Sequence, residues 1–575
     1  MNLIEELKKQ AQEAILLAFD QTTLPEITPS TQPQFGHYQC NNALKLGKEL
    51  KTSPRLVAEK LINSWKSPAA MIAKMEVAGP GFINIFLDPQ FLASRVGQLV
   101  FDERLSVPKP AHPLRIIVEF SSPNVAKELH VGHLRSTIIG DSIARLFEFL
   151  GHDVLRLNHI GDWGTQFGML IAYMRRFVPD VLKNQTRTDL ATLMEWYRAS
   201  KKLFDDDKEF KKEAQLEVVK LQGGSESSLA AWTMICDISR RAFEAIYHLL
   251  DIKLTERGES FYNPFLPNVV ADLEKRGLIT ISDGAKCIYL QGFMGRDDKP
   301  LPIIIQKSDG GYNYDTTDMA AIRHRIETEK ADRIIYVTDA GQSLHFQMLF
   351  EAAKIAGYLD PTKVRVDHVP FGVVLGNDGK KFKTREGETE KLIDLLFEAV
   401  RHAKTLLADR LPDLSPKELD EAAQTLGIDA VKYADLSQHR IKDYHFSYER
   451  MLRFEGNTAA FLLYAYVRIQ SIKRKSGKDV TSLQGPIVLD HPTEVDLALH
   501  LCQFAETLAS IADDLLPHRL AEYLYLLAER FHAFFRDCHV IGSPEEESRL
   551  LLCEAASRVL SCGLKILGLK TLEKM

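Results

Sequence analysis

His130 and His133, with Gly132 between them, are the residues of this chain whose types and spacing most directly suggest chemistry. Two imidazoles on one turn of backbone can donate hydrogen bonds to a phosphoryl group as it becomes five-coordinate. A glycine between them removes a side chain that would keep a nucleotide off the backbone. The same spacing also fits two plainer arrangements, a satisfied helix cap and a metal pair. The surroundings favour the first use. Ile116-Ile117-Val118 is a short apolar run that ends in the turn residues Ser121-Ser122-Pro123-Asn124, the pattern of a buried strand in an α/β sheet. Beyond Pro123 the apolar residues Val131, Leu134, Ile138, Ile143, Leu146, Phe147 and Leu150 recur mostly at steps of three to five, a helix stripe. The strand therefore feeds a helix whose first turn carries the histidines. A helix start supplies unpaired N–H groups and the positive end of the dipole, which suit phosphate oxygens.

This stretch, His130-Val-Gly-His133 followed by Leu-Arg-Ser-Thr-Ile-Ile-Gly140, resembles the HIGH signature of class I aminoacyl-tRNA synthetases, with Val131 in place of isoleucine. Glu119-Phe-Ser-Ser-Pro-Asn124 is similar to the arginyl-tRNA synthetase version of that motif. A second strand-like run at 153–158 precedes Gly161-Asp-Trp-Gly164-Thr-Gln-Phe-Gly168, whose glycines permit a tight turn and close approach to a ligand. Neither a G-x-G-x-x-G fingerprint nor a P-loop occurs, so ATP must be held in another way. The run Gly376-Asn-Asp-Gly-Lys380-Lys381-Phe382-Lys383-Thr384-Arg385 would by itself be a solvated turn. Its place after the apolar stretch 369–375 makes it resemble the KMSKS loop, in which mobile cations neutralise the β- and γ-phosphates as pyrophosphate leaves.

The resemblance implies roles residue by residue. His130, His133, Lys380 and Lys383 are the expected catalytic groups, and with Gly132 and Lys127 they are expected to hold ATP. Glu119 and Asp318 are expected to take the arginine guanidinium, with a hydroxyl from Tyr314; Asn124 and Gln342 suit the α-amino and carboxylate groups. A guanidinium cannot shed its proton, so leaving water requires anionic acceptors in fork geometry. Phe35, Tyr38, Gln39 and Asn41 read by themselves as a loop capping a helix; the resemblance makes them a contact for the corner of the tRNA. Arg468 and Arg474 belong to a basic cluster that by itself is a solubilising face; the resemblance places the anticodon there. The implied partners are tRNA(Arg), L-arginine and ATP as its magnesium complex, with no structural zinc and no metal site. Another class I synthetase, a small nucleotidyltransferase sharing the histidine motif, and a non-catalytic tRNA-binding paralogue are the competing readings.

Length and composition agree with a multidomain globular enzyme. The chain has 575 residues, enough for three or four domains, and a net charge of −6, so RNA binding must rely on local basic surface. Seven cysteines are scattered without a C-x-x-C pair and read as reduced thiols of a cytoplasmic protein. The first residues form an amphipathic helix rather than a signal peptide, and no apolar run reaches membrane length. The expected fold is α/β and multidomain: a Rossmann-type parallel-sheet catalytic domain split by an insertion, a small N-terminal α/β domain and an all-α C-terminal anticodon-binding domain. The expected boundaries are 1–110 for the N-terminal domain, 111–175 and 301–400 for the two catalytic halves, and 176–300 for the insertion. Residues 401–455 form a helical connector and 456–575 the C-terminal bundle, in a protein expected to be a monomer.

Overall fold

The computed structural model describes residues 2–30, 32–66, 71–183, 188–295, 298–376, 379, 391–483 and 485–575. It divides into two compact units, Met1–Pro110 with Arg453–Met575, and Ala111–Leu452.

The first unit joins the two ends of the chain. An antiparallel sheet runs in the order Ile27–Pro29, Tyr38–Cys40, Phe82–Leu87, Ile72–Ala78. Its last two strands meet through the expected Gly79-Pro80-Gly81 turn, with Ala78 opposite Phe82. The C-terminal residues form helices, of which Glu546–Ile566 is buried along most of its length. Tyr38 ties the two halves together: its hydroxyl lies 2.9 Å from both carboxylate oxygens of Glu506. Among the described residues no helix is long and apolar enough to cross a membrane.

In the second unit, five parallel strands form the central sheet. They are β1 (Arg115–Glu119), β2 (Asp153–Asn158), β3 (Thr255–Glu256), β4 (Arg333–Asp339) and β5 (Arg365–Phe371). Helix α1 (Val131–Leu150) follows β1, α2 (Tyr314–Glu327) precedes β4, α3 (Ser343–Ile355) joins β4 to β5, and α4 (Pro416–Leu436) comes later. The strand order is β5-β4-β1-β2-β3, and every pairing is parallel. Helices must cover both faces of such a sheet, which is why Ile116–Val118 and Ile334–Val337 are continuous buried apolar runs rather than alternating ones. The chain winds outward from β1 through β2 to β3, then returns to lay β4 and β5 on the other side. The reversal leaves a crevice at the carboxyl ends of β1 and β4, where ligands of such sheets bind.

Glycine sets how closely α1 approaches the sheet. A Cβ at Gly140 would stand 2.2 Å from Phe120 Cβ, so no other residue fits without displacing the ring.

One sequence expectation changes. The strand at the expected start of the second catalytic half, 301, does not join the parallel sheet. Pro300–Gln306 pairs antiparallel with Ala285–Met294, which pairs in turn with Thr280–Ser282. An apolar run of this length looks the same in a parallel core strand and in a hairpin. Pro300 and Pro302 hold the clue, because residues without an N–H belong at a sheet edge, and this strand is an edge. The expected hairpin turn does form, with Asp283 and Gly284 both at positive φ (49° and 79°), as a two-residue primed turn requires. Ile288, Leu290, Ile303 and Ile305 of this small sheet share one hydrophobic core with Ile117 of β1, Met319 of α2 and Ile334 of β4.

Candidate active site

The polar turn after β1 is bent sharply. Ser121, Ser122 and Ala126 all have left-handed backbone (φ 70°, 46° and 59°), which disfavours side-chain-bearing residues by about 1–3 kcal/mol each. A buried hydrogen-bond network holds them there. The Ser121 N–H donates to Ser136 Oγ (2.9 Å), Ser122 N–H to Asn158 Oδ1 (2.9 Å) and Ala126 N–H to Ser239 Oγ (3.0 Å). Ser136 donates in turn to the Val337 carbonyl (2.6 Å), linking the turn to β4. The result presents Asn124 at the surface beside Gly161, where a Cβ would meet Asn124 Oδ1 at 2.2 Å.

The histidines cap α1, and backbone N–H groups of its first turn set their tautomers. The Gly132 N–H donates to His130 Nδ1 (3.1 Å), and the His130 N–H donates to His133 Nδ1 (3.1 Å). A neutral ring that accepts at Nδ1 carries its proton on Nε2, so both rings are Nε2–H donors. Their centroids are 4.1 Å apart. Burial, then the neighbouring His130 and Lys127, push His133 down to about 3, so it is neutral at working pH. The cap reading holds for both rings: Nδ1 of each serves the helix start. An added Cβ at Gly132 would strike the His130 ring (Cε1 at 2.9 Å).

A cluster of carboxylates stands at the start of α2. His345, on α3, bridges two of them, with Nε2 2.7 Å from Asp318 Oδ2 and Nδ1 3.3 Å from Asp315 Oδ1. Tyr314 packs edge-on against the same ring at 5.3 Å and is otherwise exposed. Burial opposes charge on His345, but the hydrogen bonds to Asp315 and Asp318 outweigh it and raise the ring to about 10. Asp318 also acts on Glu259, whose carboxyl is pushed up to about 8, chiefly by burial and then by Asp318 and Asp162. The Gly161-Asp162 turn fixes this neighbourhood, because Asp162 accepts from the Ser260 N–H (2.8 Å) and hydroxyl (2.6 Å).

Glu119 is corrected here. It is not an uncommitted anion for a substrate guanidinium, because Arg325 Nη2 lies 2.5 Å from its Oε2 and both side chains are buried. Arg325 enters seven residues after Asp318, two turns along α2, a pairing invisible in sequence. Tyr336 is buried within electrostatic reach of Arg325, Glu119 and Asp318. Glu259, Asp315 and His345 were missed by sequence reasoning. Glu259 follows a strand of only two residues and gave no signal, whereas His345 stands three residues beyond Gln342 and Asp315 one beyond Tyr314, and those short spacings were the signal available. Gln342 itself ends the short turn Ala340–Gln342 that follows β4, its amide 3.4 Å from Asp339 Oδ2.

Lys380 and Lys383 lie outside the described residues. The segment that follows them returns to the histidines: Lys391 bridges His130, the Leu392 N–H donates to the Leu129 carbonyl (2.9 Å), and Lys391 pairs with Glu128 (2.7 Å). Lys127 is exposed close by. Among the proposed tRNA-contacting residues, Tyr38 is corrected. It is wholly buried, because alternation along its strand turns Tyr38 and Cys40 inward and Gln39 outward. Phe35 is 39% exposed, Gln39 donates to Asn84 Oδ1 (3.0 Å), and Asn41 begins the Asn42–Glu49 helix without a side-chain capping bond. Arg468 stacks over Tyr464 and Phe535 (4.6 and 5.4 Å), and Arg474 donates to the Glu573 carbonyl (3.3 Å).

A doubly wound parallel sheet whose first crossover helix is capped by the two imidazoles of a His-x-Gly-His motif defines a class I aminoacyl-tRNA synthetase catalytic domain. Residues 95–448 match the family described as tRNA synthetases class I (R), catalytic domain. Residues 1–87 match the arginyl tRNA synthetase N terminal domain and residues 462–575 the DALR anticodon binding domain. The chain is 60% identical to the arginine–tRNA ligase of Protochlamydia amoebophila over 97% of its own length and 96% of the relative's. It is 50% identical to that of Nostoc punctiforme over 99% of each. The solved arginyl-tRNA synthetase of Plasmodium falciparum superposes with a TM-score of 0.87 at 35% identity, covering 100% of this chain and 99% of that one. The chain belongs to the arginyl-tRNA synthetase family.

Proposed function

We infer that the chain is an arginine–tRNA ligase. It activates L-arginine with ATP to arginyl-adenylate and transfers the arginyl group to the 3′-terminal adenosine of tRNA(Arg), releasing pyrophosphate and AMP. The observation on which the amino-acid choice rests is the pair Asp318 and Glu259: the Glu259 carboxyl is pushed up to about 8, chiefly by burial and then by Asp318. We assign the guanidinium to these two acids and the hydroxyl of Tyr314. Glu119, with Asn124 and Gln342, then faces the α-amino and carboxylate end. Lysine would leave acceptors of such a fork unpaired, so the pocket rejects it by binding alone.

In the first step an arginine carboxylate oxygen attacks the α-phosphorus of ATP in line, and the bond to pyrophosphate breaks. The Nε2–H groups of His130 and His133 donate to the phosphoryl oxygens as charge develops, and the N-terminus of α1 adds its dipole. Lys127, Lys380 and Lys383 are assigned to the departing phosphates, which arrive as the magnesium complex. In the second step the terminal ribose hydroxyl, 2′ by class I resemblance, attacks the acyl carbon and AMP leaves. The exposed part of the Phe35–Asn41 segment, Arg468 and Arg474 are assigned to the tRNA. We take the enzyme to be a cytoplasmic monomer, a reading in keeping with its free, largely buried thiols. An ATP–pyrophosphate exchange assay across all twenty amino acids, with tRNA present, tests the assignment: arginine alone should support exchange, and exchange with another amino acid instead would overturn it.

A further inference from the structure

His345 has no part in the chemistry just described, yet it touches three groups of the amino-acid pocket at once. Its Nε2 grips one oxygen of Asp318 at 2.7 Å, its Nδ1 faces Asp315 at 3.3 Å, and its ring lies against Tyr314. Phe346 packs on it at 5.3 Å and is itself stacked on His368 at 4.7 Å, so the ring is supported from α3 and β5.

We propose that His345 is a positioning residue that sets arginine recognition. By holding Oδ2 of Asp318, it leaves Oδ1 for the substrate guanidinium and fixes the carboxylate's orientation. This rests on the reading of Asp318 as a guanidinium acceptor.

The electrostatics support a charged ring. A carboxylate on each ring nitrogen requires a proton on each, and a neutral imidazole has only one to give. The other groups facing it do not compete. His368 is pushed down to about 4 by burial and then Arg440, and so stays neutral; Asp339 lies on its far side, next to Gln342. The imidazolium also offsets one of two adjacent aspartates. Without it, Asp315 and Asp318 would repel each other across the start of α2, and their oxygens would swing towards water rather than towards a fixed fork.

The test compares the full-length wild-type chain with His345→Gln, Asp318→Asn and the double variant in tRNA-supported ATP–pyrophosphate exchange. Glutamine keeps a donor for Asp318 but loses the charge and the second bond. His345→Gln is expected to raise the arginine KM about ten- to a hundredfold, leaving kcat and the ATP KM within about threefold. On the Asp318→Asn background it should add less than about threefold, because both changes disable the same fork. Histidine-selective ¹⁵N NMR of the wild type at pH 8 should show one ring with both nitrogens protonated, absent from His345→Gln. Independent multiplication of the two effects, a fall in kcat with equal rises in both KM values, or no doubly protonated ring at pH 8 would each overturn the proposal. An unaltered arginine KM in Asp318→Asn would instead overturn the pocket itself, and the proposal with it.

Discussion

Arginine binding should release a proton, and Glu259 is the reason. In the free enzyme its carboxyl titrates near about 8, raised by burial and by Asp318 and Asp162. A guanidinium seated between Glu259 and Asp318 requires Glu259 ionised. The sign follows directly: below pH 8 the free carboxyl is protonated, so binding must expel that proton and is weakened, whereas above pH 8 it is already ionised and binding is unopposed. At pH 7 roughly nine-tenths of a proton should leave per arginine bound, and affinity should rise about tenfold per pH unit from 6 towards 8 before levelling. Calorimetry in two buffers of different ionisation enthalpy reads the released proton, and the arginine KM across the same range reads the linkage. Glu259→Gln removes both the proton and one charge of the fork. Proton release should vanish, the pH dependence should flatten, and affinity should fall by about 2–5 kcal/mol, on the order of thirty- to a few thousandfold. Equal binding heats in the two buffers, with a KM flat from pH 6 to 8, would refute the placement of Glu259 in the pocket.

Three further outcomes are expected. His133→Ala should slow adenylate formation by about two to three orders of magnitude in rapid-quench experiments while tRNA affinity is unchanged; because His133 titrates only near about 3, the wild-type rate should show no fall attributable to it between pH 6 and 8. Asp435→Asn breaks a fully buried pair with Arg135 (3.0 Å), the link between α1 and α4, and should lower stability by about 3–5 kcal/mol, read as a lower urea midpoint. Glu506 is raised to about 7, chiefly by burial, so the folded first unit binds its proton more tightly than the unfolded chain does; stability is therefore fullest below pH 4.5 and declines as pH rises to 7. Glu506→Gln should remove that decline, stabilising at pH 8 by up to about 3 kcal/mol with little effect at pH 4.5, and equal midpoints at pH 8 would count against the buried carboxylate.

The parts of this molecule that were legible in sequence are those in which one local segment holds both the chemistry and its geometry. The strand, polar turn and histidine-capped helix from Arg115 to Leu150 are contiguous, so period and turn residues place His130 and His133 correctly. The pocket is different, because its acids are fixed by partners far along the chain. Glu119 was legible as a carboxylate at a strand end, but not its neutralisation by Arg325, which depends on how α2 lies across the sheet. Tyr38 was legible as an aromatic in a polar loop, but its partner Glu506 lies 468 positions away. The run after 301 was read as opening the second catalytic half, because its place at the edge of a separate antiparallel sheet is a property of pairing, to which only the two prolines testify.

The same side chain also takes opposite roles within a single crevice, and the neighbours decide which. His133 caps a helix among neutral and cationic groups in a buried place, so it sheds its proton and becomes a one-way donor, held near about 3. His345 is also largely enclosed, but two carboxylates face it and hold it near about 10 as a cation. An anionic phosphate might be thought to want the charged ring and a cationic substrate the neutral one. The arrangement is the reverse, and for a reason. A permanently charged ring at the phosphate site would bind ATP and its transition state alike, whereas a neutral donor gains strength as charge develops on the oxygens. At the other end, Asp315 and Asp318 flank the ring, and an imidazolium held between them offsets one of their two charges and fixes the carboxylate that faces the substrate.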